Sequence, residues 1–207
     1  MTPAKPTDPE GLRPLGRLPK ILVAGIGNVL LGDDGFGVAV IQQLARATMP
    51  NGVTLMEIGM RGLDLTYALL GDYDAAILID AAQRGAAPGS IYVMDPEQTD
   101  RHSSDDVTNP AGVLDAHAME PEKVLAFVRE SGSALRAMRV VGCEPLTFGS
   151  DARPASGLSK PVQAAVPIAE RQVLALIAEL QHLLRPTTLD ESTASREPRA
   201  AARYRAP

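Results

Sequence analysis

The chain has 207 residues, a formal net charge of −5 and an apolar fraction of 45%, which suits one soluble globular domain with a sizeable core. That charge offers no basic footprint for a nucleic acid, and no apolar run reaches the roughly 18 residues of a membrane span. The single cysteine, Cys143, excludes an internal disulfide and fits a reducing, cytoplasmic setting.

Residues 1–19 are rich in proline and charge and lack the apolar run of a signal peptide, so they read as a flexible leader. Residues 185–207 have the same character and are expected to form a disordered tail. That leaves 20–184 for the domain.

Within it, short aliphatic runs alternate with helical patterns. Residues 21–24 (ILVA), 53–58 (VTLMEI), 75–80 (AAILID), 90–94 (SIYVM) and 139–143 (RVVGC) have strand length. The first and third are continuously apolar, as in central strands buried on both faces. Phe36, Val40, Ile41 and Leu44 make one stripe of a helix over 36–48,. Shorter helices are expected at 62–70 and 121–130, and a long one at about 160–184. In that last helix, Pro167 should kink the axis or delay its regular start,. The polar stretch 95–112 reads as a long loop or insertion. The pattern predicts a single α/β domain: a mainly parallel, twisted, five-stranded sheet with helices on both faces.

The stretch GIGNVLLGDDGFG, residues 25–37, raises the question of chemistry. A dinucleotide fingerprint needs a third glycine where Leu30 stands, and Asp33 and Asp34 would repel a pyrophosphate,. The nucleotide reading fails on both counts. Either aspartate could instead cap the helix that follows, which explains one acid but not two.

Asp80 ends the run AAILID, where a parallel strand leaves the sheet and ligands of open α/β folds bind,. A turn or capping role fits it too. His117, in the loop LDAHAMEPEKVL, is the histidine best placed for function, although a lone loop histidine is more often solvated,. His102 lies in the polar insertion, and His182 suits the end of the last helix,. Cys143 closes an apolar strand and reads as a small buried hydrophobe. Glu57 also ends a strand, with a weaker claim than Asp80. Asp34, Asp80 and His117 together would make an O,O,N set acceptable to nickel or zinc.

At these residues the chain resembles the nickel–iron hydrogenase maturation endopeptidases. The likeness rests on GIGNVLLGDDGFGV (25–38), AAILIDAA (75–82), DAHAMEPEKVL (115–125), and VVGCEP leading to GLSKPVQAAV within 140–166. It covers about residues 20–184, and its first element is the most specific. The resemblance implies removal of a C-terminal peptide from the hydrogenase large-subunit precursor after nickel insertion. It implies that Asp34, Asp80 and His117 are both metal ligands and catalytic residues, with nickel supplied by the precursor. Asp33 would then cap the helix or support Asp34. The alternatives are a nickel-checking chaperone that binds the same precursor without cutting it, and a metal-dependent hydrolase of small substrates.

Overall fold

The computed structural model describes residues 17–59, 62–95, 135–149 and 157–185, with 128, 130, 131 and 133. The strands are β1 (Ile21–Ile26), β2 (Val53–Gly59), β3 (Ala75–Ala81), β4 (Ile91–Met94) and β5 (Ala137–Cys143). The helices are α1 (Phe36–Leu44), α2 (Gly62–Leu69) and α3 (Lys160–Leu183), and a 3-10 turn at Asp33–Gly35 leads into α1.

The strands form one sheet in the order β2-β1-β3-β5-β4. β1 pairs in parallel with β2 and β3, and β3 with β5, while β4 runs antiparallel on the edge. Alternation along each central strand divides its side chains between two cores. Ile21, Val23, Ile77, Ile79 and Val141 face α1 and α3, whose Phe36, Val40, Leu44, Val162, Val173 and Leu180 complete that layer. Leu22, Ala24, Ala76, Leu78 and Met138 pack on the opposite face with Leu65 and Leu69 of α2. The expected α/β domain, a largely parallel five-stranded sheet with helices on both faces, is the fold observed.

Several element ends differ from expectation. α1 stops at Leu44 rather than at 48, giving way to turns that close on Gln43 and Leu44. β5 begins at Ala137, two residues early, because its pairing with Ala75 and Ala76 of β3 extends the ladder past the β-branched run. Pro167 stands inside a helix already begun at Lys160, so it does not delay the start. Its ring removes the amide that would bond the Gln163 carbonyl. Of the helix expected over 121–130, only 128 and 130 are described, and both are helical. Among the described residues no helix is long and apolar enough to cross a membrane.

Close approach of α1 to the sheet depends on glycine. A Cβ on Gly37 would overlap the carbonyl oxygens of Ile26 and Ile79, at the ends of β1 and β3. Backbone cannot swing aside as a side chain can, so Gly37→Ala is expected to cost about 3 kcal/mol or more. Urea titration checks this, and a midpoint close to wild type would show that the helix can shift without loss.

Candidate active site at the β1 and β3 strand ends

In an open parallel sheet the crevice for a ligand opens where successive connections leave to opposite sides. Here the chain passes from β1 outward to β2, then returns across β1 to β3. The switch point therefore lies between the carboxyl ends of β1 and β3. Asp34 follows β1 through residues 27–33, and Asp80 is the sixth residue of β3.

The β1–α1 loop is shaped by its glycines. Gly27 adopts φ 121°, and a Cβ there would overlap the Asp34 carbonyl oxygen, so only glycine lets the loop double back so tightly,. The Asn28 amide then donates to Asp34 Oδ2 at 2.6 Å, which fixes the carboxylate over the strand end. The Asn28 side chain accepts from the Leu30 amide at 2.9 Å and tightens the same turn,.

Asp80 is half-buried, and its Oδ1 accepts the Ala81 amide at 2.8 Å. Burial pushes its carboxyl up from 3.8 to about 7; the Ala81 amide opposes that rise, and the charge of Asp34 adds to it,. Asp80 therefore senses Asp34 across the switch point. Among the described residues, no group of three His, Cys, Asp or Glu side chains is placed to hold a metal ion. Asp34 and Asp80 are a pair, and His117, like His102, lies outside the described residues.

Asp33 departs from the role expected of it. The 3-10 turn and α1 start without any side-chain cap bond. Instead the Asp33 carboxylate, 1% exposed, turns inward. It accepts the amides of Leu146 at 2.9 Å, Thr147 at 3.2 Å and Ser159 at 2.6 Å. The Ser159 hydroxyl adds a fourth bond at 2.9 Å. Ser159 is the N-cap residue of α3, so the acid sits at a helix N-terminus, but of the last helix rather than the first.

Glu144 is a residue whose role sequence reasoning did not find. It follows β5, is 5% exposed, and accepts the Arg84 amide at 2.8 Å and that of Gly85 at 3.1 Å. The Tyr92 hydroxyl also donates to it and is the main cause holding Glu144 below the usual carboxylate range, aided by the amides of Arg84, Gly85 and Ala86. The same bond raises the Tyr92 hydroxyl above its ordinary value. Glu144 thus pins the loop that leaves Asp80. Its signal in the sequence was an acid and a proline closing an apolar strand, with nothing to name its partners.

Cys143 is buried in the α1–α3 core, and burial pushes its thiol up to about 12. A thiol held neutral is no nucleophile at neutral pH. Glu57 lies exposed on the edge strand β2, in register with Gly25. His182 is exposed in the last turn of α3.

Comparison with known proteins agrees with this architecture. The model of the hydrogenase maturation proteases matches residues 38–176. The hydrogenase expression/formation protein HupM of Azotobacter chroococcum mcd 1 is 32% identical over 195 residues, covering 92% of this chain and 87% of its own. The hydrogenase 2 maturation protease of Escherichia coli K12 is 29% identical over 165 residues, 77% of this chain and 92% of its own. Among solved structures, the hydrogenase maturating endopeptidase HybD from E. coli superposes with a TM-score of 0.60 at 26% identity. That match covers 77% of this chain and 93% of the other. A strand order built around β1 and β3, a loop that folds Asp34 over the strand end, and relatives of nearly full length converge on one conclusion: the chain belongs to the hydrogenase maturation protease family and is an endopeptidase.

Proposed function

We propose that this cytoplasmic endopeptidase removes a C-terminal peptide from the large-subunit precursor of a nickel–iron hydrogenase once nickel has entered that precursor. Asp34, Asp80 and His117 would meet the nickel from the protease side. The observation that carries this reading is the carboxylate pair at the switch point. A half-buried acid held at about 7 beside a second carboxylate is unfavourably charged until a cation arrives,. Nickel brought by the substrate would relieve that repulsion and displace the Asp80 proton. The donor set of two oxygens and an imidazole suits a borderline divalent ion. Bound there, nickel would polarise the scissile carbonyl or lower the pKa of an attacking water.

The same pair supports a second reading. A carboxyl held up at about 7 beside a second carboxylate can serve aspartic-type chemistry, with one acid activating water and the other protonating the leaving amine. Membership of a protease family weighs against the non-cleaving chaperone and the small-substrate hydrolase.

Intact mass spectrometry of the precursor, nickel-loaded and nickel-free, separates these readings. Loss of a C-terminal peptide only from the loaded form is the expected result. Equal cutting of both forms would favour the aspartic-type chemistry. A stable, uncut complex would restore the chaperone.

A further inference from the structure

Beside the crevice, two loops carry apolar side chains into solvent. Val29 is 52% exposed and Leu30 67% on the β1–α1 loop; Leu146 is 57% and Phe148 38% on the segment after β5. Four of the eleven exposed large hydrophobic residues among those described fall on these two short loops, so the patch is not scatter,.

The loops are held together at several points. Gly32 and Phe148 form an antiparallel bridge, and the Gly149 amide donates to the Leu31 carbonyl at 2.9 Å. Beneath them, buried Asp33 draws in the Leu146 and Thr147 amides. Val29 lies against the backbone of Gly35, where a Cβ would come within 2.9 Å of the Val29 Cα. The apolar tips therefore stand on fixed supports, and their exposure is a property of the fold rather than of a loose loop. Neither tip carries charge: residues 28–32 read NVLLG and 146–149 read LTFG. The patch is also continuous with the site, because the loop that presents Val29 and Leu30 is the one whose Asn28 amide holds Asp34.

We infer that Val29, Leu30, Leu146 and Phe148 form the docking rim for an uncharged, apolar segment of the hydrogenase precursor next to its scissile bond. The inference rests on the function proposed above. The loop carrying Val29 and Leu30 is the one that holds Asp34, so a peptide bond brought to Asp34 lies next to these side chains. Apolar area on a fixed support lets that segment bind without first ordering the enzyme. The carboxylates then do the chemistry and the rim sets which chain is offered to them.

The test is steady-state cleavage of the nickel-loaded precursor by Leu30→Glu and Leu146→Glu, with Leu30→Met as the conservative control. Because these side chains are exposed, melting temperatures should stay at the wild-type value. Each charged variant is expected to raise KM about tenfold or more with kcat within about twofold, while Leu30→Met keeps the wild-type KM. Wild-type KM in both charged variants, with cleavage intact, would overturn the rim and leave the proposed function standing. A wild-type dimer that Leu30→Glu converts to a monomer in sedimentation, with KM unchanged, would also overturn it and assign the patch to a second copy of this chain. If wild-type protein neither cuts nor binds the loaded precursor, the functional reading fails and the rim falls with it.

Discussion

Asp80→Asn is expected to abolish cleavage, by on the order of 10³-fold or more, and at the same time to make the protein more stable above neutral pH. Burial and then the charge of Asp34 raise the Asp80 carboxyl from 3.8 to about 7. Between those values the native state keeps a proton that the unfolded chain has lost. Native protein thus binds more protons, and stability falls as pH rises through the window from about 4 to 7. Above it the full penalty of an ionised, half-buried acid is present. Asparagine has no such charge.

Taken whole, a displacement from 3.8 to about 7 corresponds to roughly 4 kcal/mol,. Solvent reaching the half-buried carboxyl reduces this to about 1–2 kcal/mol. The variant should therefore melt about 3–6 °C above wild type at pH 8, and the gap should close towards pH 4, where Asp80 is protonated in the native state and much of the unfolded chain has regained its proton too,. Thermal scans at the two pH values decide the matter. Equal melting at both would mean that Asp80 ionises without hindrance, and the relief a cation brings would vanish with it. Stability given up at a site for function is a common trade.

The second large effect concerns Asp33. Asp33→Ala removes an acceptor shared by the amides of Leu146, Thr147 and Ser159 and the Ser159 hydroxyl. A helix cap lost at α1 would cost about 1 kcal/mol. Stranding four part-buried donors should cost about 3–5 kcal/mol. Asp33→Asn should fall between, because its carboxamide oxygen still accepts while its NH₂ faces other donors. Guanidinium unfolding curves of the three proteins distinguish the roles, and a loss near 1 kcal/mol for Asp33→Ala would reduce this carboxylate to an ordinary cap.

These two aspartates also show where sequence reading succeeds and where it stops. The central strands were legible because Ile21–Ile26 and Ala75–Ala81 lie inside the sheet, and burial on both faces demands continuous apolar residues,. The stripe of α1 was legible for the same reason, as was the placing of Asp80 at a strand's carboxyl end. Asp33 was not. Its partners lie 113 to 126 residues away, and no local pattern encodes which distant amides a buried acid will meet. Glu144 failed likewise, since its partners are set by how the β3–β4 connection lies over the end of β5. The antiparallel edge placement of β4 was also hidden, because four residues of mixed burial carry too little periodicity to give direction.

The packing of α3 has a consequence for how the chain is made. On one face of the sheet α1 covers β1 and β3, while α3 packs across β5 and onto α1, with Val141, Val173, Ile177 and Leu180 in the same core. The β5 side of that core therefore stays open until almost the entire domain has left the ribosome. A nascent chain in that condition exposes the aliphatic face of β5 and the outer side of α1, so folding must finish after synthesis rather than keep pace with it. A chain stalled before residue 173 should be a client for chaperones and proteases, and release of the last helix should be the step that ends that vulnerability.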